Sequence, residues 1–228
     1  MATFKHISSK NADYGAAEQY LTFEHDEFTM KPTLDKNGRL LPRDDYRISS
    51  LNCGGEDFAI ACMRSNLKYG KNQKREDVKS HHYIISFDPR DAPDNGLTVD
   101  RAQQLGEQFC KEHFPGHQAL VCTHPDGHNH SGNIHVHIVI NSLRIAEVPL
   151  LPYMERPADT REGCKHRCTD AAMEYFKAEV MEMCHRENLY QIDLLNGSKN
   201  RITEREYWAK RKGQAALDKE NASQAATG

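Results

Sequence analysis

The sequence predicts an α+β fold, with a central antiparallel β-sheet that carries a histidine motif and is flanked by α-helices. Three observations predict it. Ile134 to Leu143 reads IHVHIVINSL, an alternation with one wholly apolar face. Two more β-rich runs, HHYIISF at 81–87 and ALVCTH at 119–124, have helix or turn signals around them. The helical periods between these runs do not follow a strict β-α-β order, so a sheet covered by helices fits better than a doubly wound one.

From the N-terminus, residues 16–23 have the spacing of a short helix, with Asp13 as candidate cap. Residues 31–49 (KPTLDKNGRLLPRDDYRIS) are rich in Pro, Gly and charge and read as a loop or exposed β-ribbon. Residues 56–68 place Phe58, Ile60, Ala61, Met63 and Leu67 at helical intervals. After the strand at 81–87, the cluster DPRDAPDNG stops the chain. Residues 98–114 form an amphipathic helix ended by Pro115-Gly116, and the strands at 119–124 and 134–143 follow. Residues 170–188 predict a long amphipathic helix and 203–219 a charged one. The small polar tail NASQAATG is expected to fray.

Composition narrows the function. The chain has 228 residues, 38% hydrophobic and 28% charged, as in a soluble globular protein. No apolar run is long enough to span a bilayer, and MATFKHISSK lacks the apolar stretch of a signal peptide, so membrane insertion is not expected and a cytoplasmic location is. Seven cysteines, an odd number with no framework spacing, read as reduced thiols. The net charge of -3 lacks the overall basic bias of many nucleic-acid binders. The charge is uneven, however. Arg64, Lys68, Lys71, Lys74, Arg75 and Lys79 cluster against only Glu76 and Asp77, and Lys199, Arg201, Arg205, Lys210, Arg211 and Lys212 form a second group. Each group reads equally as a phosphate-contacting surface or a solvated helix face.

The chemistry lies in residues 123–141, THPDGHNHSGNIHVHIVIN. On a strand, His135, His137, Val139 and Asn141 share one face, while Ile134, Val136, Ile138 and Ile140 face the core. The two imidazoles then sit about 7 Å apart by the strand rise. The short loop after His124 allows antiparallel pairing that brings it beside His135 and His137. Three neutral imidazoles converging from a rigid sheet make an open metal site, suited to Mn, Zn, Ni or Co, and to Mg or Mn where a carboxylate or phosphate joins. Asp126 would support a ligand histidine, hold a tyrosine hydroxyl or cap the turn. His128 and His130 read as solvent- or substrate-facing, with either able to replace His124. Cys164-Lys165-His166-Arg167-Cys168 lacks the second pair of a zinc site and reads as thiols near a basic turn.

These residues resemble the third motif of conjugative relaxases, the mobilization nucleases of the VirD2-like, HUH endonuclease class: H-x-D, a short loop, then H-x-H-x-x-x-N. Here the motif is His124-Pro125-Asp126, then His135-Val136-His137, with Asn141. The resemblance implies His124, His135 and His137 as ligands of a divalent metal, Mn or Mg foremost, with Zn, Ni or Co as alternatives. It also implies a nucleophilic tyrosine in an N-terminal helix. EQYLTFEHDE offers Tyr20, with Tyr14 as competitor, and Asp126 or else His82 to orient it or take its proton. Asn52-Cys53 and HHYIISF resemble the family's central part, and GCKHRCTDAAMEYFK and REYWAKRKG resemble relaxases of Gram-positive integrative elements.

The implied function is strand-specific nicking at an origin of transfer through a 5′-phosphotyrosine link. The implied partners are single-stranded or locally melted origin DNA, an accessory DNA-binding protein and a type IV secretion coupling protein. Arg167 joins the two basic clusters as an expected phosphate contact, and Tyr207 and Trp208 stack on bases or pack a helix. Residues 1–198 are then expected to be the catalytic domain, and 199–228 a basic helix and frayed tail at the boundary of a longer protein. The alternatives are a rolling-circle replication initiator, which commonly carries its tyrosine after the histidines, and a non-catalytic metal- or DNA-binding module. A cupin-like enzyme is disfavoured because the first Glu after His137 is Glu147.

Overall fold

The alternating run around the H-x-H pair becomes the middle of the sheet. The computed structural model describes residues 3–26, 28–126 and 132–196, and 206, 209–210, 212–214 and 216–218 near the C-terminus. Five strands, β1 (Thr3–Ser9), β2 (Arg47–Leu51), β3 (Ser80–Ser86), β4 (His117–His124) and β5 (His135–Arg144), pair in the order β1-β3-β5-β4-β2. Every pairing is antiparallel. The helices are α1 (Gly15–Thr22), α2 (Phe58–Tyr69), α3 (Asp91–Asn95), α4 (Val99–His113) and α5 (Asp170–Arg186). Met1–Leu195 make up one compact unit and Asn196–Gly228 another. The described residues of the second unit beyond Asn196 are helical.

The three anticipated strands lie within two residues of their expected limits, whereas the two edge strands were not foreseen. TFKHISS carries no apolar stripe, and RISSL falls at the end of the stretch read as loop; both gain order by pairing with β3 and β4. The ribbon reading of residues 31–49 corresponds to three isolated bridges, Phe23 with Pro42, His25 with Pro32 and Leu34 with Leu40. Local chemistry sets the helix starts. The Asp57 carboxylate accepts the Ala59 and Ile60 amides at α2, and Thr98 and Thr169 hydroxyls accept at α4 and α5. Tyr14, not Asp13, is the cap residue of α1, although Asp13 Oδ1 accepts the Ala16 amide at 3.2 Å.

Strand alternation divides the core into two layers. Val136, Ile138 and Ile140 of β5 pack with Val121, Tyr83, Ile85 and the apolar stripes of α4 and α5. On the opposite face, Val139, Leu120 and Cys122 pack with Leu21 of α1 and Phe58, Ala61 and Cys62 of α2. The histidine face of β5 is therefore roofed by helices as well, and all seven cysteines are free thiols. No helix among the described residues is long and apolar enough to cross a membrane.

Two stability predictions arise here. Helix α4 lies so close to β5 that a Cβ on Gly106 would sit 2.3 Å from Val136 Cγ1. Gly106→Ala should lower the melting temperature through an overpacking cost of about 1–3 kcal/mol; an unchanged transition in thermal denaturation would contradict this close approach. Second, burial holds His113 down to about 4 and His81 and His117 down to about 3, from an ordinary value of 6.5. The unfolded chain therefore takes up protons first as pH falls. Stability should be fully present above about pH 6.5 and decline toward about pH 4. Melting temperatures of the metal-free protein measured by circular dichroism across that window should fall steadily; a flat profile would argue against neutral buried histidines.

Candidate metal and tyrosine site

His124 ends β4 directly opposite His135 of β5, and His137 lies opposite Cys122. The period of two turns all three imidazoles toward α1. Their ring centroids are 4.8–5.0 Å apart, and one ligand atom from each lies within 4.8 Å of the others. A partner on the outer nitrogen orients each ring. His124 Nε2 lies 2.8 Å from the Leu21 carbonyl and His135 Nδ1 3.1 Å from the Asn133 carbonyl. A carbonyl can only accept, so these nitrogens carry the protons, leaving lone pairs on His124 Nδ1 and His135 Nε2, which are 3.2 Å apart. His137 Nδ1 is 2.8 Å from His82 Nε2, and His137 Nε2 is buried with no hydrogen-bond partner.

A divalent ion fits this donor set. Ligand bonds near 2 Å separate neighbouring nitrogens by about 3 Å, close to the 3.2 Å between His124 Nδ1 and His135 Nε2, and an ion would take up the orphaned His137 nitrogen. Burial, followed by the neighbouring His135, His82 and His124 and by Arg43, holds the His137 imidazolium well below its ordinary range, so the ring is neutral as a ligand must be. Burial likewise brings His82 down to about 4. Among the described residues, no other group of three or more His, Cys, Asp or Glu is placed to share an ion.

The two tyrosines are separated by the structure. Leu21 is fully buried against the sheet, and its carbonyl holds His124. That register puts the adjacent Tyr20 over the cluster, with ring centroids 6.1 Å from His137, 6.3 Å from His82 and 5.1 Å from His25. Burial raises the Tyr20 phenol, and the Arg43 charge pulls it back. Tyr14 instead belongs to a buried amide network. Its hydroxyl donates to the Lys79 carbonyl at 3.0 Å and accepts from Asn66 Nδ2 at 2.7 Å; burial raises it to about 12. Asn141, fully buried, belongs to that network and not to the histidine cluster: Tyr14 Oη and Asn72 Nδ2 each lie 3.4 Å from its Oδ1, and its Nδ2 donates to Gln118 at 3.0 Å.

Asp126 Oδ1 accepts the Gly132 amide at 2.6 Å, which closes the turn between β4 and β5. His128 and His130 lie outside the described residues, as do Lys199, Arg201, Arg205, Tyr207, Trp208 and Arg211. The basic set is only partly a surface. Lys71, Lys74 and Arg75 are exposed after α2, Arg64 pairs with Glu56 at 2.6 Å, and Lys68 lies 3.6 Å from Glu162. Lys79 needs correction: it is buried, and its ammonium donates to the carbonyls of Lys74 and Asp77 at 2.6 and 3.4 Å, so it is not a solvent-facing cation. Arg167 pairs with Glu155 at 3.1 Å and Asp159 at 3.4 Å. Lys210 and Lys212 are exposed in the second unit.

Residues 41–148 match the family described as Relaxase: MobA/VirD2-like, nuclease domain. The matched segment holds His82, His124, His135 and His137 and begins after both Tyr14 and Tyr20. Over 169 residues the chain is 29% identical to the protein rlx of Staphylococcus aureus, covering 74% of this chain and 42% of that protein. The chain thus spans less than half the length of this curated relative. A solved structure described as the molecular basis of vancomycin resistance transfer in Staphylococcus aureus overlaps 89% of this chain and 97% of its own, at 14% identity and a TM-score of 0.48. The conjugative relaxase TrwC in complex with oriT DNA, metal-bound, overlaps 83% and 71%, at 12% identity and a TM-score of 0.39. Both superpositions are loose, and the chemistry of the site stands on its own residues.

Three contributors escaped the sequence. The Leu21 carbonyl has no side-chain signature, and His25 lay just beyond the expected helix. Arg43 sat in a stretch read as loop, where its Pro- and Asp-rich surroundings gave no sign of burial.

Proposed function

We propose that this chain nicks one strand of origin-of-transfer DNA and stays joined to the cut 5′ end through Tyr20, initiating conjugative transfer. The observation that carries this reading is Tyr20 standing over three inward-facing imidazoles, one with a buried, unpartnered nitrogen. Tyr20 Oη attacks the phosphorus, the bond from phosphorus to the 3′ oxygen breaks, and that oxygen takes up a proton to leave a 3′-hydroxyl. The phenol proton passes to Asp126, two residues beyond His124, with His82 as the second candidate. One phosphoester replaces another, so the step reverses readily when a 3′-hydroxyl returns. His124, His135 and His137 would hold a divalent ion (Mn²⁺ or Mg²⁺, with Zn²⁺, Ni²⁺ or Co²⁺ as alternatives), which would supply polarisation of the phosphodiester and charge neutralisation.

The strand must be single or locally melted to reach a phenol lodged between α1 and the sheet. Arg64, Lys68, Lys71, Lys74, Arg75, Arg167, Lys210, Arg211 and Lys212 provide the phosphate contacts, so affinity falls with salt. Residues 1–198 act as the catalytic domain and 199–228 as a basic extension, with an accessory DNA-binding protein and a coupling protein as partners.

The test is a denaturing gel of a labelled single-stranded oligonucleotide spanning the origin, with Mn²⁺ or with EDTA. A metal-dependent cut with a protein-linked band is expected, and EDTA should abolish cutting while DNA binding persists. Binding with no cut under any metal would contradict the proposal.

A further inference from the structure

The side chain of Arg43 is the least explained feature of the site. Its amide donates to the Thr22 carbonyl at 2.9 Å, and neighbouring Pro42 bridges to Phe23, so its backbone is tied to the end of α1 just beyond Tyr20. Its Nε and Nη2 atoms are both buried and have no hydrogen-bond partner. Its positive charge acts on the Tyr20 phenol, the His137 imidazole and the Cys122 thiol. Guanidinium does not lose its proton in proteins, so these two donors remain charged and unsatisfied. Arg43 is half-buried, and a donor that is itself buried without a partner in a native site calls for an absent one. Nε and Nη2 form one edge of the guanidinium, the side-on fork that matches two oxygens of a phosphate.

We propose that Arg43 is an anion-binding residue of this site, its Nε–Nη2 edge holding the non-bridging oxygens of the phosphodiester that Tyr20 attacks. The assignment rests on the nicking reading for which phosphate is held, though not for the binding of a phosphate. It adds a second positive group to the site, carried on a segment whose backbone is tied to the end of α1. The fork would fix the phosphorus relative to Tyr20, and it predicts that Arg43 and the substrate are stabilised by each other.

The experiment uses Tyr20→Phe protein, which binds without cutting, and an origin-region single strand carrying one neutral methylphosphonate at successive positions. Affinity is compared with Arg43 intact and with the added Arg43→Met change. At the cut position, the methylphosphonate should weaken binding about tenfold more when Arg43 is intact than in the Arg43→Met protein, the loss of a charge-assisted pair. Arg43→Met should also slow nicking by Tyr20-containing protein by about 100-fold, as for loss of one transition-state donor. Its melting temperature without DNA should equal or exceed that of the wild type, because two buried, unpartnered donors are gone. Equal methylphosphonate penalties at every position would overturn the proposal, and so would coupling confined to a neighbouring phosphate. If Arg43→Met does not fold, Arg43→Lys keeps the charge without the fork, and an undiminished coupling there would overturn it equally. Coupling in protein whose Tyr20 form never cuts would preserve phosphate binding and refute nicking; cutting without coupling would do the reverse.

Discussion

Replacing Tyr20 with Phe should abolish both the nick and the protein-linked DNA band, while Tyr14→Phe should keep them. Loss of a nucleophile removes a covalent pathway outright, and the expected fall in cutting rate is on the order of 10⁴-fold or more. Tyr20 has the position for that role, 6.1 Å from His137 between ring centroids, on a helix whose next carbonyl holds His124. Tyr14 has a different task. Its hydroxyl connects Lys79, Asn66 and Asn141 beneath α2, so its removal leaves buried amides short of a partner and should cost about 1–3 kcal/mol of stability. The pair of variants thus separates chemistry from folding. Cutting rates and melting temperatures measured side by side decide it, and a Tyr20→Phe protein that still forms the adduct would move the nucleophile elsewhere.

Replacing His137 with Ala should cost more metal affinity than any other single change in the cluster. It has a nitrogen that is buried and has no other purpose in the structure, and the ring as a whole is only 3% exposed. His82→Phe removes only the group that orients His137, and losing such an outer partner typically weakens metal binding about 10–100-fold. Calorimetric titration with Mn²⁺ should therefore rank wild type above His82→Phe, and His82→Phe above His137→Ala. If His137→Ala bound Mn²⁺ as tightly as the wild type, the ion would be held elsewhere.

The middle of the fold was legible because β5 is patterned without interruption: Val136, Ile138 and Ile140 on one face, His135 and His137 on the other. The same alternation and the short turn after His124 brought the three histidines together. The roof over them was not legible, because Leu21, Phe58 and Cys62 come from two helices whose docking depends on tertiary packing. Asn141 shares the histidine face by period, yet further along the strand the environment changes from imidazoles to amides. Lys79 was counted with its basic neighbours because charge counting carries no information about side-chain direction. Arg43 was hidden for a related reason: a charged residue in a Pro-rich stretch reads as solvated until the Thr22 carbonyl fixes its backbone against α1.

The most direct test of the account is to locate the covalent bond. Protein trapped with a short origin-region strand in Mn²⁺ is digested, and fragmentation mass spectrometry finds the residue that carries the nucleotide. The account predicts a 5′-phosphonucleotide on Tyr20 within GAAEQYLT, with Tyr14 unmodified. A nucleotide on Tyr14, on a histidine or on no residue at all would contradict it.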